Sequence, residues 1–218
     1  MASVGLLYVG AVLFINGLML LGVVNAKSAA PLNLFVGLLQ VITPTWLIVS
    51  SRGDPDILLN ASGLYLFGFT YLYVAWNLLG DLDGTGLGYF SLFVAICACV
   101  YAGLNFGRLG DTAFGVIWLM WAFLWLLFFL VLGLGKVGLS RYTGAVAAIE
   151  GWITGVVPAF LLLSGRWLDY NRTAAIVLVI VAVVAFGALY PRLREHSTPV
   201  APAPPTGTGT ALPTPGGA

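Results

Sequence analysis

The chain holds few side chains that could do chemistry, and they stand far apart. Glu150 is the one acidic residue that lies well inside a long apolar stretch. Placing a carboxylate there costs about 2.5–3.5 kcal/mol on insertion scales, so such a group is either functional or held in place by hydrogen bonds. Both roles stay open for Glu150. Cys97 and Cys99 would point to different faces of a helix, which predicts neither a disulfide nor a metal site.

Catalysis needs groups that the apolar stretches do not supply. The single histidine, His196, follows the last of these stretches, so neither a Ser-His-Asp triad nor a histidine-based metal centre can form within them. The segment GTGLG at 84–88 lacks the rest of a nucleotide-binding fingerprint. The lysines, Lys27 and Lys136, lie outside the last apolar stretch, which excludes a retinal Schiff base. We expect no enzyme, no metal and no cofactor.

Three tryptophans stand in one apolar run, GVIWLMWAFLWLLFF at 115–129. Trp118, Trp121 and Trp125 have the spacing i, i+3, i+7, which keeps them within roughly a 60° stripe of one helix face. Tryptophan in membrane helices usually lies at the water interface. A stripe through the span therefore indicates either a packed core or the lining of a narrow path, and the sequence as a whole favours the path.

Composition places these residues in a membrane protein. Hydrophobic residues make up 60% of the chain and charged residues 8%, whereas soluble domains carry about 25% charged residues. The chain could not cover itself with a polar surface, so membrane lipid must surround it. The net charge of +1 and the lack of a basic patch argue against nucleic acid as a partner.

Seven apolar runs are long enough to cross a bilayer as helices. They cover about 4–24, 31–50, 59–79, 87–106, 113–134, 143–163 and 174–190. The first lacks the positive region of a signal peptide, so we expect it to stay as an uncleaved span. Five basic residues lie on the side of the membrane that holds Lys27, and four lie on the other side. The positive-inside rule then predicts that the N-terminus lies outside and the C-terminal tail in the cytoplasm.

An internal repeat relates the spans in pairs. The tryptophan stripe matches Leu66, Phe69 and Tyr73 at an offset of 52 residues, and these match Leu6, Val9 and Leu13 at a further 60. The even spans align at offsets of 58 and 56, which superpose Val36, Val94 and Glu150. The predicted fold is an all-α integral membrane protein: a six-helix bundle of three hairpin repeats, with the odd spans facing one axis, plus a C-terminal seventh transmembrane helix.

The chain then divides into three parts. We expect the six-helix domain at 1–165 and the extra transmembrane helix with a short basic end at 166–196. Residues 197–218, rich in proline, glycine and threonine, form a tail that we expect to be disordered.

Several segments together resemble the AmiS/UreI family of urea and short-chain amide channels. They are LLYVGAVLFINGL, AKSAAPLNLFVG, LFGFTYLYVAWN, YFSLFVAI, VIWLMWAFLWL and AAIEGWITGVVPAFLL. The resemblance implies six helices in three hairpins around a pore in each protomer, and a homohexamer in the inner membrane. It also implies two constrictions, lined by Val9, Leu13, Phe69, Tyr73, Trp118, Trp121 and Trp125, with Leu6 near one end. Glu150 matches the family's buried glutamate. The resemblance suggests a cytoplasmic amidase or urease as a partner enzyme, which the sequence does not identify.

Two features depart from the family pattern. The acid-gated branch has a long, histidine-rich outer loop after its second span, and here that connection is only SSRGDPDILLN. Histidine is the side chain that titrates between pH 5 and 8, so we expect a constitutively open channel that acid does not gate. The seventh span is the other departure, and we expect it at the periphery of the bundle or between protomers.

The expected function is passive diffusion of urea or small aliphatic amides such as acetamide. A dry constriction of Trp, Phe, Leu and Val excludes ions, which lose their hydration without replacement, while a flat amide loses less. The Tyr73 hydroxyl and the indole N–H groups could offset part of the lost water. Two alternatives stay open: a proton-coupled transporter that uses Glu150, and a non-transporting membrane scaffold or sensor.

Overall fold

The structure is a computed structural model that describes residues 2–194; the expected disordered tail at 197–218 and His196 lie outside the described residues. Within the described part, seven long apolar helices follow one another. They are α1 (Ala2–Leu20), α2 (Ala26–Ser50), α3 (Pro55–Gly80), α4 (Thr85–Leu109), α5 (Thr112–Gly133), α6 (Val137–Leu163) and α7 (Trp167–Leu193). All seven predicted spans are confirmed.

Polar caps set the limits of the helices. The Asp54 side chain accepts hydrogen bonds from the N–H groups of Asp56 and Ile57 at the start of α3, and Asp111 caps α5 by accepting from Phe114. Helix α3 ends at Asp81, which has a left-handed backbone. These caps satisfy N–H and C=O groups that a helix leaves unpaired at its ends, so the chain can turn back sharply and build an antiparallel bundle.

Helices α1 to α6 form a closed ring in chain order, in which α6 returns to α1. The closest packing joins α2 to α3, α4 to α5 and α6 to α1, while the two helices within each hairpin lie further apart. This alternation of close and loose contacts occurs three times around the ring. It is the pattern that three repeated hairpins predict, and the predicted fold class is confirmed.

Small residues allow the close contacts. A Cβ atom placed on Gly88 of α4 would meet the backbone of Gly133 in α5, and one on Gly10 of α1 would meet the backbone of Gly151 in α6. Helices in lipid gain little from burying apolar surface against each other, so they associate by close backbone packing of this kind.

Helix α6 changes its geometry where it packs against α1. Its α-helical turns stop at Glu150, a π-helical segment covers Gly151–Val156, and α-helix resumes at Val157. Pro158 follows directly; it cannot donate a backbone hydrogen bond, and π-bulges are frequent at functional sites.

Helix α7 lies outside the ring. It packs mainly against α5 and α6, where Trp167, Ala175, Leu178 and Phe186 are buried. Most of its remaining surface is exposed and apolar, as a lipid-facing helix requires. We expected α7 at the periphery of the bundle or between protomers; within the described chain it lies at the periphery of the ring.

Candidate functional site

Two cavities lie inside the ring, one toward each end of the bundle. The N-terminal cavity, at the end where Ala2 lies, has a volume of about 360 Å³. The distal cavity, at the other end, has a volume of about 260 Å³. Asp111 is the charged side chain in the lining of the first, and the second has none among the described residues.

A thin layer of apolar side chains separates the two cavities. On each of α1, α3 and α5, a residue that lines the N-terminal cavity lies four positions before a residue that lines the distal cavity. The pairs are Val9 and Leu13 on α1, Phe67 and Tyr71 on α3, and Trp121 and Trp125 on α5. Four residues of helix rise about 6 Å. The barrier between the cavities is therefore about one helical turn thick.

Phe67 lies at the centre of this barrier with 2% of its surface exposed. Its ring centroid is 4.7 Å from that of Trp121, 5.1 Å from Trp125 and 5.8 Å from Trp118. The first two contacts are edge-to-face, an arrangement that aromatic rings favour. One phenyl ring therefore touches all three indoles of the stripe, and we call these four residues the aromatic barrier.

Two threonines hold the indole rings of the barrier in orientation. The Trp121 Nε1–H group donates to Thr154 Oγ1 at 2.9 Å, and Trp125 Nε1–H donates to Thr70 Oγ1 at 3.3 Å. Each threonine hydroxyl in turn donates to a backbone carbonyl, that of Glu150 at 2.6 Å and that of Leu66 at 2.7 Å. Both indole N–H groups are thus already satisfied, so they are not free to replace water around a permeating solute.

Six of the predicted pore residues lie along this path. Leu6, Val9, Trp118 and Trp121 line the N-terminal cavity, and Leu13 and Trp125 line the distal cavity. All six side chains are buried.

The prediction that Phe69 and Tyr73 face the axis needs correction, because the structure places both on the outer face of α3. Phe69 is 50% exposed and Tyr73 is 37% exposed, and neither lines either cavity. Phe67 and Tyr71, two residues earlier in the chain, line the cavities where Phe69 and Tyr73 were expected. A shift of two residues turns a helix by about 200°. The reason is that α3 is apolar on its outer face as well, so the composition of the span does not mark the face that points inward.

The register can be found in the sequence by another route. The offset of 58 residues that aligns the second and fourth spans also relates Val9 to Phe67 and Leu13 to Tyr71. In the structure, an offset of 58 residues therefore relates both the odd and the even helices of the first two hairpins. The expectation was 60 residues for the odd spans and 58 for the even spans. Applied to the odd spans, this single offset would have identified Phe67 and Tyr71.

Glu150 is fully buried on α6, and neither carboxyl oxygen has a hydrogen-bond partner among the described residues. It is outside the lining of both cavities. The Tyr71 hydroxyl is likewise buried without a partner. A buried polar group without a partner costs about 1–3 kcal/mol and calls for a functional or structural reason.

The fold and the paired cavities define a membrane transport protein. A model of the AmiS/UreI family of transporters matches residues 1–166. The chain belongs to the AmiS/UreI family. The family and its relatives are channels and transporters, so the expectation that the chain is not an enzyme is confirmed.

Relatives with known names span most of the chain. A Mycolicibacterium smegmatis protein named as a transporter of amidate substrates is 53% identical over 208 residues, which cover 94% of this chain and 96% of the relative. The transporter protein AmiS2 of Rhodococcus erythropolis is 59% identical over 176 residues, 81% of this chain and 84% of the relative.

A solved structure matches the six-helix ring. The cryo-electron microscopy structure of the Helicobacter pylori urea channel in its closed state has a TM-score of 0.70 and 36% sequence identity. The match covers all of that channel chain but 77% of this one. The family match likewise stops at residue 166, so α7 lies beyond what the chain shares with the urea channel.

Proposed function

We propose that the protein is a passive channel for urea or small aliphatic amides such as acetamide. One observation carries the proposal: two cavities meet at an apolar barrier about one helical turn thick, centred on Phe67. The relatives support it, because they are named for transport of urea or amidate substrates. The finer choice between urea and an amide belongs to the experiment.

The chemistry of the barrier favours small, flat, neutral solutes. The side chains that lie between the cavities are Val9, Leu13, Phe67, Tyr71, Trp121 and Trp125, and none of them is Asp, Glu, Lys or Arg. An ion that enters this layer loses water without gaining a ligand, and apolar constrictions exclude ions in this way. A planar amide can slip edge-on between rings and lose fewer hydrogen bonds.

Polar side chains at both ends of the barrier would receive the solute. Gln40 and Asn60 line the N-terminal cavity, and Asn16, Asn77 and Tyr71 line the distal one. Amide and hydroxyl groups both donate and accept hydrogen bonds, so they match the C=O and NH₂ groups of urea. The solute would exchange water for these groups before and after it crosses the rings.

We place the N-terminal cavity outside the cell and the C-terminal tail in the cytoplasm, as the distribution of basic residues favours. The assembly in the inner membrane would be a homohexamer in which each protomer holds its own path. A cytoplasmic amidase or urease that consumes the solute would maintain the inward gradient. The channel is open at neutral and acidic pH, because the connection between α2 and α3 carries no histidine.

Proton coupling through Glu150 is the second candidate, and its unpartnered buried carboxyl group is the observation that favours it. The test is tracer uptake of acetamide into proteoliposomes with and without an inward proton gradient, for the native chain and for Glu150→Gln. Passive conduction predicts that tracer equilibrates, without accumulating, under both conditions and in both proteins. Accumulation above equilibrium that needs the proton gradient and disappears in Glu150→Gln would establish coupling and overturn the channel proposal.

A further inference from the structure

The first turns of α7 are tied to the start of α5 by hydrogen bonds. Trp167 Nε1–H donates to Asp111 Oδ2 at 2.7 Å, and the Asn171 side-chain amide donates to Asp111 Oδ1 at 2.7 Å. Asn171 Oδ1 also accepts from the backbone N–H of Ala113 at 3.3 Å. Hydrogen bonds to a charged acceptor are roughly twice as strong as neutral ones. We call Asp111, Trp167 and Asn171 the α7 clamp.

The clamp acts on the helix that carries the tryptophan stripe. Asp111 is the N-cap of α5 and accepts from the Phe114 N–H at 2.9 Å. Its charge lies at the helix N-terminus, where the helix dipole favours an anion. The donors from α7 fix the carboxylate in this capping position, so they also fix the first turn of α5.

Two residues at the start of α5 connect the clamp to the mouth of the N-terminal cavity. Asp111 and Phe114 both line it, and the Phe114 ring packs on the Trp167 indole with centroids 5.0 Å apart. The Asp111 carboxylate accepts from three donors, namely Trp167, Asn171 and the Phe114 N–H group. The Trp167 indole also holds the Phe114 ring against α7. The width and the polarity of this mouth therefore depend on α7.

Further along, α7 packs along the outside of the ring. The Phe123 and Phe186 rings stack with centroids 6.1 Å apart, and the Tyr142 hydroxyl donates to the Phe186 carbonyl at 3.2 Å. These contacts seat α7 in the groove between α5 and α6.

Resting on the proposed function, we infer that α7 is a positioning element for the pore. Trp167 and Asn171 hold Asp111 and Phe114 at the mouth of the N-terminal cavity and align α5 with its tryptophan stripe. Without the clamp, the mouth widens, and the channel discriminates less between acetamide and bulkier neutral solutes such as butyramide. The family model ends at residue 166, so Trp167 and Asn171 lie beyond the six-helix ring that the chain shares with the urea channel.

The test compares the full-length chain with Trp167→Phe and Asn171→Ala. Trp167→Phe keeps an aromatic ring against Phe114, but it removes the N–H donor together with the second ring of the indole, so Asn171→Ala is the variant that loses its donor without changing that ring contact. Trp46→Phe is the matched control, because Trp46 lies on α2 with 60% of its surface exposed and lines neither of the two cavities. All four proteins are measured in proteoliposomes by stopped flow, and the readout is the ratio of acetamide to butyramide permeability.

The ratio is expected to fall in Trp167→Phe and Asn171→Ala and to stay at the native value in Trp46→Phe. A role limited to stability would lower the amount of folded protein and leave the ratio unchanged, which would overturn the inference. Hydrogen exchange of the amides at 112–116 gives a second readout that needs no flux. Exchange should be faster in both clamp variants, and native exchange rates in both would overturn the inference even if the chain conducts nothing.

Discussion

Replacing Phe67 with alanine should join the two cavities. The phenyl ring makes two edge-to-face contacts, with Trp121 at 4.7 Å and Trp125 at 5.1 Å, and each such pair contributes about 0.5–1.5 kcal/mol beyond burial. These contacts together contribute about 1–3 kcal/mol. A bulky solute must break them to pass, so their loss should lower the free-energy barrier to its permeation by a similar amount. Because about 1.4 kcal/mol is a factor of ten, the preference for acetamide over glycerol should fall about fivefold to a hundredfold.

Phe69→Ala is the matched control for this substitution. It removes the same ring from the same helix two residues away, where the side chain is half exposed and its nearest aromatic neighbour is Tyr65, at 5.6 Å. Stopped-flow permeability to acetamide and glycerol should be native in Phe69→Ala. Thermal unfolding in detergent should be measured together with the flux, to separate loss of folded protein from loss of selectivity. Deleting a buried phenyl ring costs about 3–5 kcal/mol in soluble proteins.

The opposite pattern would refute the account of the barrier. If Phe69→Ala lost selectivity while Phe67→Ala kept it, the expected register would be right and the cavities described here would not be the path. If neither changed selectivity, the aromatic barrier would be a packed core with no part in conduction.

Three further substitutions or conditions test other parts of the account. Thr154→Val removes the acceptor of the Trp121 indole but keeps the shape, so unfolding free energy should fall by about 1–3 kcal/mol, the cost of a buried donor left unpaired, as thermal melts in detergent would detect. Gly88→Ala should prevent close packing of α4 on the Gly133 backbone and give little folded protein in size-exclusion profiles; a native yield would contradict the packing described. Flux should be level from pH 5 to pH 7.5. Hydrogen bonds from the side chain and then the backbone of Thr85 lower the pKa of the Asp83 carboxyl group beside the distal cavity, so this group titrates below that range. The stability that the ionised Asp83 gives to the fold is present above the unfolded pKa of about 3.9, and it is lost only as the pH falls through the lower pKa of the folded state. A steep rise in flux at pH 5 would reveal a gate and contradict this prediction.

The sequence predicts the spans well because their limits depend on polar residues. Asp54, Asp81 and Asp111 stand at helix ends in the structure, and each is visible as a charge between two apolar runs. The odd helices could also be recognised as the lining, since three tryptophans at i, i+3, i+7 mark one face of the fifth span. Aromatic side chains of that size are a strong signal inside a membrane helix.

The face of the third span could not be read in the same way. In a soluble helix the polar face marks the outside, but a helix between lipid and an apolar pore is apolar on both sides. Phe67 and Phe69 are therefore equivalent by composition. Their faces are set by packing partners, such as the contact of Gly68 with the α2 backbone at Gln40. The clamp was hidden for a related reason: Asp111 and Trp167 are 56 residues apart, and only the fold brings them together.

Acetamide permeability of proteoliposomes made with the native chain tests the central claim most directly. The apolar barrier between two cavities that each hold a few amide or hydroxyl side chains predicts acetamide flux well above that of protein-free liposomes, with glycerol flux close to the protein-free value. Acetamide flux no faster than in protein-free liposomes would contradict the claim that the two cavities form a path for small amides.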